Sequence, residues 1–303
     1  HLGRVQQLMQ TGKSRTDVGF IHNNWTQGIR KDGGTGNDLS AMNWELAHQG
    51  VYYRSTELQD NGYTYDYFSP DFLYDDSVSF NEETQTIESA GYKAIVLYQD
   101  WLDVKGAERI LDWAKKGLKV VILDGAAQRT PFNDGNDEKL AEIMAELKTL
   151  STVRTAEIYD APEGFNYADA VEGGYDDGVY EALQELGVTP YAEYVEPNHQ
   201  LLTQTRQDED GNQYLYAYNY CSNDYHQNSH VESVQNEDHG TNIKTEIRMD
   251  GMFIPYSIDP WTGDVTELGE YRYENGQTVI SIDLDYDNIA LFAFEAVDQE
   301  KTH

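Results

Sequence analysis

The chain has 303 residues, enough for two domains; with 39% hydrophobic and 25% charged residues it can bury a core and is not a disordered chain. Its 54 Asp and Glu against 21 Lys and Arg leave a net charge of −33, a surface that repels phosphate backbones and anionic membranes and all but excludes nucleic-acid binding. A single cysteine, Cys221, excludes an intrachain disulfide framework and any Cys-rich zinc or iron–sulfur site, and no stretch approaches the ~20 apolar residues of a membrane span.

Residues 2–11 read as a short helix, with Val5, Leu8 and Met9 at i, i+3 and i+4 and Gly12 as its stop. Nothing in the next residues forms a domain around it, and neither end of the chain carries a start or stop signal, so the helix reads as the remnant of an upstream domain. Residues 17–21 (DVGFI) are a candidate first strand. A polar, glycine-rich loop follows from 22 to 38, then helices at 39–49 and 55–61, the second ending at Gly62. Strands are expected at 63–68 and 93–98. An amphipathic helix over 104–116 gathers Ile110, Leu111, Trp113 and Ala114 on one side and stops at Gly117. A buried strand at 118–123, a helix at 137–150, a strand at 154–159, a helix at 179–186 and a strand at 189–194 complete the series. Alternating β and α with continuous apolar strands imply a parallel sheet covered on both faces, a flavodoxin-like or Rossmann-like domain over 17–195.

The remainder, 196–303, changes character. Strand-like runs at 200–207, 213–219, 244–249, 253–258, 265–268, 270–273, 277–283 and 289–296 are separated by turns such as Asp210-Gly211-Asn212 and Asn275-Gly276. That spacing predicts an antiparallel β-sandwich. The fold class is therefore α/β followed by all-β.

Flavodoxin-like sheets bind ligands at the carboxyl ends of their strands. Three segments fall on that edge: 22–38, 99–101 and 124–129. They carry Asn23, Asn24, Trp25, Asp100, Trp101, Gln128 and Arg129. Asp and Asn groups beside indole faces suit the hydroxyls and C–H faces of sugars, and Trp25, Asp100 and Trp101 are the candidate carbohydrate contacts. The competing reading is a solvated rim with both tryptophans packed inward. The 23 tyrosines suit neutral polar ligands, or simply half-wet β-sheets.

Other patterns fail on chemistry. Gly33-Gly34-Thr35-Gly36 lacks the Lys-Ser/Thr of a phosphate loop and the spacing of a dinucleotide fingerprint. The 118–123 strand runs into Asp124-Gly125-Ala126, with no Cys or Ser nucleophile at the elbow. Asp208 to Asn212 lacks the glycine and terminal Glu of a calcium loop and reads as a hairpin turn. His226 and His230 are four apart but in HQNSH, without the Glu of a zinc helix and among asparagines. They read as an exposed loop lining a carbohydrate cleft, and no metal or cofactor is expected. With 54 carboxylates, the sequence cannot choose a catalytic pair.

Three segments resemble one family. Residues 2–13 (LGRVQQLMQTGK), followed by Asp17-Val18, are similar to the join after the catalytic barrel of family 106 glycoside hydrolases, α-L-rhamnosidase-like enzymes. Residues 92–97 with 110–123 resemble the flavodoxin-like module that follows, also seen in β-galactosidases. Asp259-Pro260-Trp261-Thr262-Gly263, after a Tyr218-Asn219-Tyr220 strand end, resembles a motif of the trailing β-domain. The resemblance implies that residues 1–16 are the last helix of a barrel and that the chain is the non-catalytic C-terminal part of the enzyme. The family's catalytic carboxylates and calcium ligands belong to the upstream barrel, and no residue here matches them. Its partners would be that barrel and a glycoside or polysaccharide, outside or on the surface of a bacterial cell. A stand-alone carbohydrate-binding module and an independent glycosidase using a carboxylate pair remain alternatives.

Overall fold

A computed structural model describes residues 1–22, 57–123, 125–131, 134–157, 178–198, 200–219 and 242–297. The elements run α1 (Leu2–Gln10), β1 (Lys13–Arg15), β2 (Val18–Ile21), α2 (Glu57–Asp60), β3 (Tyr65–Phe68), a 3-10 turn (Pro70–Tyr74), β4 (Phe80–Asn81), β5 (Thr86–Ile87) and β6 (Ala94–Leu97). After these come α3 (Val104–Lys116), β7 (Lys119–Leu123), α4 (Asp137–Leu147), β8 (Val153–Ala156) and α5 (Val179–Glu185). The remaining strands are β9 (Ala192–Tyr194), β10 (Leu201–Gln207), β11 (Gln213–Asn219), β12 (Ile243–Met249), β13 (Phe253–Ile258), β14 (Val265–Glu267), β15 (Arg272–Glu274), β16 (Gln277–Leu284) and β17 (Ile289–Ala296). The chain divides into two compact units, 18–55 with 65–188, and 1–17 with 56–64 and 189–303.

The first unit is built on a five-stranded parallel sheet ordered β3-β2-β6-β7-β8. In chain order that is second, first, third, fourth, fifth, the flavodoxin-like arrangement. The central strands β2 and β6 are buried at every position, as a sheet covered on both faces requires. One face packs on α3 and α4: Ile95, Leu97, Val120 and Ile122 meet Ile110, Trp113, Leu140, Ile143 and Leu147. Asp103 caps α3, its Oδ2 accepting from the Gly106 N–H at 2.9 Å, and Gly117 closes the helix at φ +125°. Lys115–Glu146 (2.6 Å) and Lys139–Glu108 (2.5 Å) tie α3 to α4 across their exposed edges.

The second unit is an antiparallel sandwich. One sheet has the order β1-β10-β11-β17-β13-β14, the other β15-β16-β12-β9. Alternate residues of the two sheets form the core, among them Leu201, Leu215, Phe253, Phe292 and Phe294 from one and Tyr194, Ile247, Met249, Ile280 and Ile282 from the other. The turn from 208 to 212 joins β10 to β11 as the expected hairpin.

Two differences from the sequence reading concern pairing, not element type. The strand expected at 189–194 on the parallel sheet is β9, which pairs antiparallel with β12 in the sandwich, with Ala192 opposite Met249. The physical reason is burial: Ala192 and Tyr194 both point into the sandwich core. Residues 13–15, read as part of an upstream remnant, form β1 at the edge of the larger sandwich sheet, with Ser14 opposite Arg206. The 3-10 turn and the β4–β5 hairpin are short elements that no periodicity announced.

Candidate functional site

The sheet order reverses between β2 and β6, so the carboxyl ends of these two strands flank the switch point where such sheets take ligands. His22 follows β2, and Tyr98 and Gln99 follow β6. The Tyr98 hydroxyl lies 2.6 Å from His22 Nδ1, and the Gln99 amide nitrogen lies 3.4 Å from the same atom. An amide nitrogen only donates, so a hydrogen bond from Gln99 needs Nδ1 as its acceptor, while the Tyr98 hydroxyl can serve either tautomer of the ring. The His22 and Tyr98 rings stack at 6.2 Å and 17°, and Tyr67 meets His22 edge-on at 5.7 Å. Phe20 extends this aromatic row to Tyr65 and Tyr67. Tyr98 and Gln99 are buried, at 4% and 5% exposure, so the histidine is oriented by fixed partners.

One step further along the edge lie Asp100, Trp101 and Arg129. The backbones of 99–102 and 127–129 are zipped together: Ala127 N–H donates to Gln99 O (2.8 Å), Gln128 and Arg129 N–H to Asp100 O (2.8 and 2.9 Å), and Leu102 N–H to Arg129 O (3.0 Å). This registry sets the Arg129 guanidinium 3.1 Å from the Asp100 carboxylate and 5.3 Å from the centre of the Trp101 ring. The following loop is anchored by Thr130, whose hydroxyl lies 2.5 Å from Asp134 Oδ1 and 2.7 Å from Asp137 Oδ1. Hydrogen bonds from the Thr130 hydroxyl and from Asn136 hold the Asp134 carboxyl below the usual carboxylate range. Those from the Thr130 N–H and hydroxyl do the same for Asp137. Burial pushes the Asp103 carboxyl up, against the opposing Gly106 N–H.

The structure thus places Asp100 and Trp101 side by side at the carboxyl edge of the sheet, both in contact with Arg129. Trp25, His226 and His230 lie outside the described residues. His22 and Tyr98 were not singled out by the sequence reading, although each directly follows an apolar strand, which is the signal that finds them. An indole, an ion pair and a histidine held by a buried carboxamide thus lie along one sheet edge. Among the described residues no group of three or more His, Cys, Asp or Glu could hold a metal ion. No helix among them is long and apolar enough to cross a membrane.

No protein-family model matches the sequence, and no curated protein matches it. Among solved structures, a rhamnosidase from Novosphingobium sp. PP1Y superposes with a TM-score of 0.58 at 16% identity. The chain resembles that rhamnosidase in fold. The match covers 98% of this chain and 24% of the other, so the chain spans about a quarter of the rhamnosidase's length. Gan42B, a GH42 β-galactosidase from G. stearothermophilus, matches 97% of this chain and 42% of its own at 10% identity, with a TM-score of 0.44. A β-galactosidase from Bacillus circulans sp. alkalophilus matches 97% of this chain and 44% of its own at 13% identity and a TM-score of 0.41. The α/β unit and the sandwich that follows it are thus an arrangement found in a glycoside hydrolase.

Proposed function

We propose that the chain is the non-catalytic C-terminal portion of a family 106-like glycoside hydrolase, supporting a catalytic barrel and contacting sugar at the Asp100–Trp101–Arg129 edge. The observation that supports this reading most is the correspondence of both units, over nearly the whole chain, with a limited part of a rhamnosidase. The geometry supports the same division of labour. A glycosidase needs two carboxyl groups, ~5–10 Å apart, one of them able to give a proton. At the strand edge Asp100 is committed to Arg129 and is suited to orienting a sugar hydroxyl. Location outside or on the surface of a bacterial cell belongs to this proposal.

The chain alone is expected to leave 4-nitrophenyl α-L-rhamnoside and a panel of other aryl glycosides unhydrolysed. Arg129→Ala should weaken sugar binding about tenfold while lowering the melting temperature by no more than about 3 °C. An exposed pair of this kind, 59% and 36% exposed at its two side chains, contributes only about 0–1 kcal/mol to stability. Turnover by the chain that Asp100→Asn abolishes would replace this reading with an independent glycosidase.

A further inference from the structure

Asn275 and Gly276 are the two residues of the turn between β15 and β16, where Glu274 stands opposite Gln277. Both have positive φ, +50° and +83°, as a two-residue hairpin turn asks of its central residues. Both are exposed, and a Cβ on Gly276 would meet nothing within 4 Å. Among the described residues neither the Asn275 carboxamide nor the Gly276 N–H has a hydrogen-bond partner. The turn lies far from the start of the chain. Thr278 Oγ1 accepts from the Phe253 N–H and donates to Gly251 O, both at 2.8 Å, at the beginning of β13. Arg4 of α1 reaches Pro260, beyond the other end of that six-residue strand, about 20 Å away.

The sequence holds one other Asn-Gly step, Asn61-Gly62, and the fold treats it in the opposite way. Asn61 Nδ2 donates to Glu57 O at 2.8 Å, and the Gly62 N–H to Gln59 O at 3.0 Å. Gly62 is buried, so close to β9 that a Cβ on it would sit 2.4 Å from Ala192 O.

Asn-Gly is the step at which a backbone nitrogen most readily attacks the preceding side chain, because glycine places no Cβ beside the attacking atom. The Gly276 nitrogen bonds to Asn275 Cγ and gives up its proton. The bond from Cγ to the amide nitrogen breaks and ammonia leaves, closing a five-membered succinimide. Water then opens one of the two ring carbonyls, leaving aspartate or isoaspartate at position 275. Ring closure requires the turn to open first. β15 is three residues long, lies at the edge of its sheet and pairs only with β16, so opening it disturbs little else.

We propose that Asn275 is a site of spontaneous deamidation, with isoaspartate as its main product, and that the fold protects Asn61 from the same reaction. Isoaspartate carries the main chain through Cβ and adds one atom to a two-residue turn. The Glu274–Gln277 pairing is then lost, and Arg272 on β15 is released from Glu246 on β12.

The whole chain, kept in mildly alkaline buffer made with ¹⁸O-water, is digested at acidic pH in ordinary water and mapped by mass spectrometry, with electron-transfer fragmentation to separate isoaspartate from aspartate. Position 275 should gain one ¹⁸O, mostly as isoaspartate, at least about tenfold faster than position 61, because only local opening is needed there. In urea the two steps should convert at similar rates. Amides of β15 in the converted fraction should lose protection. No conversion at 275 in the folded chain, while the unfolded chain converts, would overturn the site. Equal rates at 275 and 61 in the folded chain would overturn the protection of Asn61 and trace the reaction to global unfolding. Aspartate without isoaspartate would mean direct hydrolysis and overturn the cyclic route, and full protection of β15 after conversion would overturn the unpairing.

Discussion

Asp17 shows how one residue can matter without any chemistry of its own. It stands just before β2 and is 1% exposed. Its Oδ2 accepts from the Thr64 N–H at 2.8 Å and the Thr64 hydroxyl at 2.7 Å, and its Oδ1 accepts from the Tyr191 N–H at 2.6 Å. Three segments distant in sequence are thereby held on one buried carboxylate, all of them in the sandwich unit. A buried carboxylate is tolerable only because donors surround it, and the donors in turn depend on it. Asp17→Ala removes the charge and leaves two backbone N–H groups and a hydroxyl without their acceptor. The expected loss is about 3–5 kcal/mol in urea unfolding, whereas Thr64→Val, which removes one hydroxyl, should cost about 1 kcal/mol. Equal costs for the two variants would mean that the carboxylate is not the anchor. Asp17-Val18 stands out in the sequence as part of a resembling segment, but the anchoring role of Asp17 was not legible, because it lies in contacts 47 and 174 residues away.

At the scale of elements, the β10–β11 hairpin turns on Asp208. Its carboxylate accepts from the N–H groups of Asp210 (3.0 Å) and Asn212 (2.9 Å), the Asn212 side chain (3.0 Å) and the Tyr214 hydroxyl (2.9 Å). Burial pushes the carboxyl up, but the bonds from Asn212, Tyr214 and Asp210 outweigh it and leave it below the usual carboxylate range. A carboxyl depressed in the folded state contributes stability above its unfolded value, near ~3.9, and loses it as pH falls through the folded value. Protection of the β10 and β11 amides relative to their intrinsic exchange rates should therefore fall as pH drops below about 4. Asp208→Ala should raise exchange at neutral pH, at a cost of about 1 kcal/mol, and remove that acid dependence. A variant as acid-sensitive as the parent would place the dependence elsewhere. This turn was legible because its side chains bond to their own neighbourhood. The same holds for α3, whose spacing of Ile110, Leu111 and Ala114 and closing Gly117 are local facts. The partner of β9 was not legible. An alternating strand carries no mark of which sheet it will join, since pairing is settled by residues more than 50 positions away. The site divides in the same manner. Asp100 and Trp101 could be found because they end an unmistakable strand, whereas the His22–Tyr98 contact exists only because β2 and β6 are neighbours in the folded order.

Charge dominates at the scale of the whole molecule. With 54 acidic and 21 basic residues, most carboxylates have no cation to pair with. The basic side chains are used economically: Arg272 pairs with both Glu246 and Glu274, and Arg248 reaches Glu193 at 3.5 Å and Glu274 at 3.8 Å. Attraction acts at these contact distances, well inside the Debye length of about 10 Å at 0.1 M salt, while the excess repulsion is spread over longer ones. Added salt therefore removes repulsion before it removes attraction. The melting temperature should rise by several degrees between about 10 mM and 500 mM sodium chloride, an ion chosen because it is only weakly excluded from protein surfaces. A fall over that range would mean that the paired arginines and lysines outweigh the unpaired carboxylates. The same titration separates ligand classes. Affinity for a neutral sugar carries no net charge term and should stay constant across the series, whereas a residual affinity for an anionic glycan should climb steeply with salt as the repulsion is screened.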